Sequence, residues 1–222
     1  MRLPQLDARL RRIADCVPDC ELAADIGCDH GKLTAWLLWH GTCQRMIASD
    51  LSEVSRAKAR ALFNRLGLRD RVTISAADGL HALTEPMDAV IISGMGGGTM
   101  ADMLAQEVDL QGATLILSPQ TELPRLREAV AKRHYRICHE YVVKADGRFY
   151  LVWQAMPGEM RLSGRERALG VSLSATDTAS PTDYLRWQLK VASSWQGEEA
   201  EQYRQWIKEM IADEKGDDSG SL

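Results

Sequence analysis

The chain predicts an α/β fold: a mainly parallel sheet with helices on both faces, closed by an antiparallel hairpin. Three observations carry that expectation. Residues 23–31 read Ala-Ala-Asp-Ile-Gly-Cys-Asp-His-Gly, an apolar strand that ends in a glycine turn and feeds a helix, Lys32 to Trp39. Apolar runs and helical patterns then alternate along the chain, as βα units on a parallel sheet do. Finally, two long β runs flank Ala145-Asp146-Gly147, and Asp-Gly is a hairpin-turn signal.

The elements follow in order. Residues 5–16 read as an opening helix, with Leu6, Leu10 and Ile13 at helical spacing and Pro18 beyond its end. Residues 21–26 are the first strand, 32–39 the helix after the glycine turn, and 45–49 the second strand. Ser52 suits the N-cap of a helix over 53–66, and Gly67 suits its C-cap. Residues 71–75 are a third strand, followed by the Ala77-Asp78-Gly79 turn. The fourth strand, 87–93, is a continuous apolar run, as a sheet covered on both faces requires. Gly94-Met95-Gly96-Gly97-Gly98 then opens a helix reaching about Gln106. A fifth strand, 113–117, ends in Ser118-Pro119-Gln120, and a helix over 122–133 leads to β runs 136–144 and 148–155.

After Pro157 the character changes. Residues 158–182 are rich in Gly, Ser, Thr and Arg. Two helices, 183–195 and 199–213, are expected as an antiparallel pair split near Gly197. Tyr203, Trp206, Ile207, Met210 and Ile211 share one face of the second, with Trp187 and Trp195 expected on the facing helix. The chain is therefore divided into an α/β domain (1–156), a helical appendage (157–214) and a disordered tail (215–222).

Composition narrows the class. Hydrophobic residues make up 45% of the 222, enough for a sizeable core. No stretch approaches a membrane span, and the N-terminus lacks the apolar core of a signal peptide. Five cysteines without zinc-ligand pairing read as free thiols in a reducing cytoplasm, with no metal site. The net charge of −4 lies wholly in residues 156–222, because 1–155 are balanced. Three basic clusters permit RNA binding: Arg9/Arg11/Arg12, Arg56/Lys58/Arg60/Arg65/Arg69/Arg71, and Arg125/Arg127/Lys132/Arg133/Arg136. Ordinary solvated helix faces account for them equally.

The glycine turn carries the chemistry. Asp50 ends the second apolar run, nineteen residues after Gly31. A glycine turn at a helix start, with an acidic residue about twenty positions on, is how Rossmann-like sheets hold a nucleoside. Dinucleotide sites use G-x-G-x-x-G, whereas here Gly27 and Gly31 enclose Cys28, Asp29 and His30. Asp25 and Asp29 beside the turn would repel a pyrophosphate but suit an ammonium and a sulfonium. That favours S-adenosylmethionine (SAM) over NAD, although both aspartates also suit helix capping. Ligands bind at the carboxyl ends of such strands, so four loops are candidates: 27–31, 50–52, 78–80 and 94–98. Gly27 and Gly31 face the methionine part of SAM and Asp50 the ribose. Asp78 takes the adenine amino group unless it is only a turn residue, with Leu51 and Leu80 as apolar covers. The glycine-rich loop from Gly94 and Met95 is expected to approach donor or substrate closely. It lacks the Lys-Ser/Thr of a phosphate-binding P-loop.

These stretches resemble the bacterial tRNA (adenine-22 N1)-methyltransferase family. The matching residues are Ala24–Gly31, Ala77-Asp78-Gly79-Leu80, Gly94-Met95-Gly96-Gly97, Leu115-Ile116-Leu117 and Asp146-Gly147-Arg148-Phe149-Tyr150. The resemblance spans roughly residues 5–155. It implies a Rossmann-like seven-stranded class I methyltransferase sheet with a small C-terminal helical appendage, SAM as cofactor and tRNA as partner. Asp25, Gly27, His30, Gly31, Asp50, Asp78 and Gly79 would hold SAM, with Cys28, Leu51, Gly94 and Met95 beside them. Asp29 would be the catalytic carboxylate. Ser118, Pro119 and Gln120 stand where the family carries Q-P-N, which makes them the substrate-binding loop and their departure a question of base contact. Alternatives are a SAM enzyme acting on another RNA base, a small molecule or a protein, and a non-catalytic RNA- or nucleotide-binding protein.

Overall fold

The computed structural model describes residues 2–217. The opening helix α1 (Ala8–Asp15) starts later than its apolar spacing suggests. Asp7 is the reason: its carboxylate accepts the Leu10 N–H at 2.7 Å and caps the helix there. The βα units follow as β1 (Cys20–Ile26), α2 (Lys32–His40), β2 (Cys43–Ser49), α3 (Glu53–Leu66), β3 (Val72–Ser75), β4 (Ala89–Ser93), α4 (Gly97–Leu104), β5 (Thr114–Ser118) and α5 (Leu123–Lys132). The hairpin is β6 (Tyr135–Ala145) and β7 (Arg148–Pro157). Asp146 and Gly147 at its tip have φ of 48° and 74°, the left-handed pair that a two-residue turn demands.

The sheet order is β3-β2-β1-β4-β5-β7-β6-β8. β1 to β5 pair in parallel, and β7 runs antiparallel to both β5 and β6. The eighth strand, β8 (Leu173–Ser174), exceeds the expected seven and joins β6 in parallel. Two residues are too few to show a period of two, so no sequence pattern marks it.

Strand alternation divides the core between the faces. Ala24, Ile26, Val90, Ile92, Leu115 and Leu117 pack with residues of α4 and α5. Ala23, Ala89, Ile91 and Ile116 pack with α1, α2 and α3. No helix among the described residues is long and apolar enough to cross a membrane.

The C-terminal segment contains α6 (Gly164–Leu169), α7 (Pro181–Val191) and α8 (Glu198–Asp217). Capping boxes at Ser163/Glu166 and Ser180/Asp183 start α6 and α7. α6 has no counterpart in the sequence reading. Ile207 is fully buried with Leu169 and Leu185, and Tyr203, Trp206, Met210 and Ile211 pack around them. α7 ends at Val191, short of the expected 195, and Trp195 beyond it lies against Tyr203 with ring centroids 5.3 Å apart and planes tilted by 37°. Trp187 does not face α8: it lies against Phe149 and Tyr184, 5.6 and 5.9 Å away. α8 continues through Asp217, three residues into the expected tail, and 218–222 lie outside the described residues.

A buried ion pair ties this segment to the sheet. Arg127 of α5 and Glu140 of β6 are both fully buried, Nη2 to Oε2 2.5 Å. Arg127 also donates to the Arg167 carbonyl at 3.0 Å and lies over the Trp153 ring. Glu140 accepts the Val171 N–H at 2.6 Å.

Candidate active site

Parallel register brings the loops together. Ile26 pairs with Ser49 and Ile92, and Ser49 pairs with Ser75. The carboxyl ends of β1, β2, β3 and β4 therefore lie side by side, where ligands bind on such sheets.

Asp50 is held by backbone. Its Oδ2 accepts the Asp29 N–H at 2.9 Å and its Oδ1 accepts the Ser52 N–H at 2.8 Å. Each oxygen keeps a lone pair for a further donor. Asp25 lies behind it, 2% exposed, accepting the Thr34 hydroxyl at 2.7 Å. Burial pushes the Asp25 carboxyl up to about 6; the Thr34 hydrogen bonds oppose this and the charge of Asp50 adds to it. The two carboxylates repel each other, so a positive charge beside them would be favoured.

The turn between them is left-handed at Gly27 (φ 76°), Asp29 (φ 49°) and Gly31 (φ 67°). Gly27 and Cys28 both donate to the Ser49 carbonyl, at 2.8 and 2.9 Å. A Cβ on Gly27 would stand 2.7 Å from Met95 Cε, so Met95 lies over the turn. Gly31 serves packing instead of facing the methionine part: a Cβ there would stand 2.5 Å from Phe63 Cζ in the core. Cys28 likewise turns its side chain into the core, where burial raises its thiol pKa. Asp29 is exposed, its carboxylate 3.5 Å from the Ser55 hydroxyl and 3.4 Å from His30 Nε2. Lys58 Nζ lies 3.0 Å from the same His30 nitrogen.

The 77–80 turn is tied to its neighbours by small polar groups. The Ser49 hydroxyl donates to the Ala77 carbonyl at 2.9 Å and ties the 77–79 turn to β2. Asp78 is exposed and its side chain does not cap the turn after it. Gly79 (φ 55°) admits Gln106, whose Oε1 accepts the Leu80 N–H at 2.7 Å. Leu80 is fully buried in the core, not an exposed cover, whereas Leu51 is 64% exposed on the rim.

The glycine-rich loop has two parts. Gly94 (φ 78°) and Met95 follow the carboxyl end of β4, laced to the Ser118–Gln120 loop by Gly94 N–H to Ser118 O and Gln120 N–H to Met95 O, 3.3 and 3.1 Å. Gly97 and Gly98 face the chain entering α5. A Cβ on Gly97 would stand 2.3 Å from the Thr121 carbonyl, and one on Gly98 2.2 Å from Glu122 Oε2, so these glycines let α4 meet the start of α5. Ser118 is buried with its hydroxyl lacking a partner among the described residues, Pro119 is buried, and Gln120 is exposed. Gln120 borders a groove of about 1250 Å³ whose far wall carries Trp195, Tyr203 and Trp206.

Most of the basic clusters support the scaffold. Arg71 donates to the carbonyls of Leu38, Cys43 and Gln44, and Arg56 to those of Asp50 and Leu51. Arg133 donates to the Gln106 and Val108 carbonyls, and Arg127 is buried, so the third cluster is no continuous basic face. Nothing in the spacing of Thr34, Ser49 and Gln106 marks residues that brace a turn from another element, and Lys58, expected in a basic cluster, instead lies against His30.

Comparison with known proteins places this architecture. A family model described as a methyltransferase domain matches residues 6–153. The tRNA (adenine(22)-N(1))-methyltransferase of Bacillus subtilis is 30% identical over 181 residues, 80% of this chain and 74% of that protein. A Streptococcus agalactiae protein of the NADB-Rossmann superfamily superposes with a TM-score of 0.82 at 27% identity, covering 94% of this chain and 98% of that one. The M. capricolum TrmK structure, solved with S-adenosyl-homocysteine, gives 0.79 at 19% identity over 95% and 99% of the two chains, a likeness of fold. With a domain match over two thirds of its length and a relative of this extent, the chain belongs to the tRNA (adenine-22 N1)-methyltransferase family of class I methyltransferases.

Proposed function

We propose that this protein transfers the methyl group of SAM to N1 of an adenine in tRNA, at position 22 in the D-arm region. The observation that carries this reading is the Asp25–Asp50 pair at the head of the glycine turn, one carboxylate buried and the other held by two backbone amides. Family membership supplies the substrate, since the B. subtilis relative is named for adenine 22 of tRNA.

The residues present fit SAM. Asp50 would hold the ribose hydroxyls, and Asp25 behind Gly27 would balance positive charge. Asp78 with Gly79 would face the adenine, and Leu51 and Met95 would border the crevice. When bound, SAM supplies a methyl group made electrophilic by its sulfonium.

The chain's own task is alignment and charge. Adenine N1 carries its lone pair in the ring plane, so the loops of Met95 and Ser118–Gln120 must present that edge to the crevice. Holding reactants in line supplies roughly 7–11 kcal/mol in intramolecular systems. N1 lies on the pairing edge, so a paired base must leave its stack. Asp29 stands on the exposed lip, where its carboxylate stabilises the positive charge that the ring gains or accepts a proton from N6. The bordering groove offers a path for the flanking RNA. A cytoplasmic setting is part of this reading, and the five free cysteines suit it.

The test is direct. The protein is incubated with SAM and unmodified tRNA, and the nucleosides are identified by mass spectrometry. 1-Methyladenosine at position 22 is expected; another methylated nucleoside, or no methylation of tRNA, overturns the assignment.

A further inference from the structure

Four of the five backbone amides of the glycine turn are already spent. Gly27 and Cys28 donate to the Ser49 carbonyl, Asp29 to Asp50, and Gly31 to the Cys28 carbonyl. A dinucleotide-type loop aims such amides at an anion; here only the His30 amide is left for one. The crevice walls are acidic besides. Yet the methionine part of SAM is a zwitterion, and its α-carboxylate needs more than the one donor that the turn leaves.

A donor stands at the edge. α1 leads through Pro18 into the start of β1, so its first turn lies at the opposite, carboxyl edge of the sheet. Arg9 sits there. Its Nη1 is buried and has no hydrogen-bond partner among the described residues, a costly state for a charged donor. The same nitrogen lies 3.7 Å from where a Cβ on Gly94 would be. Gly94 thus leaves nothing between the guanidinium and the glycine loop. The Arg9 Cζ rests 5.4 Å from the Tyr150 ring centroid, which props the side chain from β7. Its neighbours Arg11 and Arg12 lie over Trp36 and Tyr141, and neither has an orphaned buried nitrogen.

We propose that Arg9 is the anion-binding arm of the donor site, its guanidinium taking the α-carboxylate of SAM beside Gly94. The proposal rests on the methyltransferase reading above. It also gives Tyr150, part of the family-like stretch at 146–150, the task of holding Arg9 in place. The fork of a guanidinium matches a carboxylate in a way that a lysine does not.

Calorimetry on the full chain separates the two ends of the ligand. S-adenosylhomocysteine carries the α-carboxylate; 5′-methylthioadenosine keeps the adenosine and the thioether and lacks the amino acid. Arg9→Gln should weaken S-adenosylhomocysteine binding by about tenfold to a hundredfold. It should leave 5′-methylthioadenosine binding unchanged, which also shows that the variant is folded. Arg9→Lys should fall between. Equal losses for both ligands overturn the proposal, as does unchanged S-adenosylhomocysteine affinity. In the latter case a loss of tRNA affinity in Arg9→Gln identifies the anion as an RNA phosphate. Failure of the unaltered protein to bind either ligand removes the donor reading itself and Arg9 with it.

Discussion

The Asp29 N–H donates to the Asp50 carboxylate at 2.9 Å, across twenty-one positions of sequence. One acidic side chain therefore fixes the backbone that presents the other. Asp50→Ala removes a ribose acceptor and frees the amides of Asp29 and Ser52 together. SAM affinity should fall by about tenfold to a hundredfold in calorimetry. Asp50→Asn keeps one acceptor oxygen and should lose less; equal losses would show that the charge alone matters.

Asp29 itself should govern turnover and not donor binding. Its φ of 49° suits asparagine as well as aspartate. Asp29→Asn should leave SAM affinity nearly unchanged while single-turnover methylation of tRNA slows by about a hundredfold or more. Unchanged turnover would remove its catalytic role.

Asp25 should make both stability and ligand affinity depend on pH. Its carboxyl is raised from 3.8 to about 6 by burial, so the folded protein binds that proton more tightly than the unfolded chain. Stability from this group is therefore full at low pH and is lost as pH rises from about 4 to 6. A cationic ligand prefers the ionised form, so SAM affinity should climb as pH passes about 6. Asp25→Asn should flatten both dependences, read by urea titration and calorimetry across about pH 4–8.

The Arg127–Glu140 pair should be costly to break and cheap to replace. Arg127→Ala leaves the Glu140 charge buried and should lower unfolding free energy by about 3–5 kcal/mol in urea titration. The double substitution Arg127→Met with Glu140→Leu should recover much of that loss. No recovery would mean that the carbonyl and amide contacts to 167–171, not the charges, hold the segment.

Two adjacent glycines should respond differently to alanine. The Cβ of Gly97→Ala meets the backbone carbonyl of Thr121, which cannot turn aside, and should cost about 1–3 kcal/mol. The Cβ of Gly98→Ala meets the ends of the Glu122 and Arg125 side chains. These can rotate, so the cost should stay under about 1 kcal/mol. The reverse order in urea midpoints would show that α4 yields more easily than the side chains do.

The parts of the fold that were legible in sequence are those with a local code. The period of the strands, the Ser52 and Gly67 caps of α3 and the Asp146-Gly147 turn each depend on neighbours in the chain, and each appears where it was read. β8 lies beside the Arg127–Glu140 pair, which joins residues thirteen apart to carbonyls some forty residues on, and no local pattern announces such a join; α6 does carry a local signal, the Ser163/Glu166 capping box, but six residues are too few to show helical spacing. The site shows the same split. Asp25, Gly27 and Asp50 follow from the glycine turn and its spacing. Gly31, Gly97 and Gly98 look alike in sequence but answer to Phe63, Thr121 and Glu122, partners that only folding brings near. Arg9 looked like one of three ordinary arginines, and only its orphaned nitrogen sets it apart.

The two residues of β8 also shield the outer margin of β6. A shortened chain ending at Pro157 would leave the long β6 strand bare along one side and strip Arg127 and Glu140 of their partners at 167–171. Such a fragment would keep every cofactor loop and still offer its open flank as a template for other copies. Self-association of such a fragment is the expected outcome, read by size-exclusion chromatography.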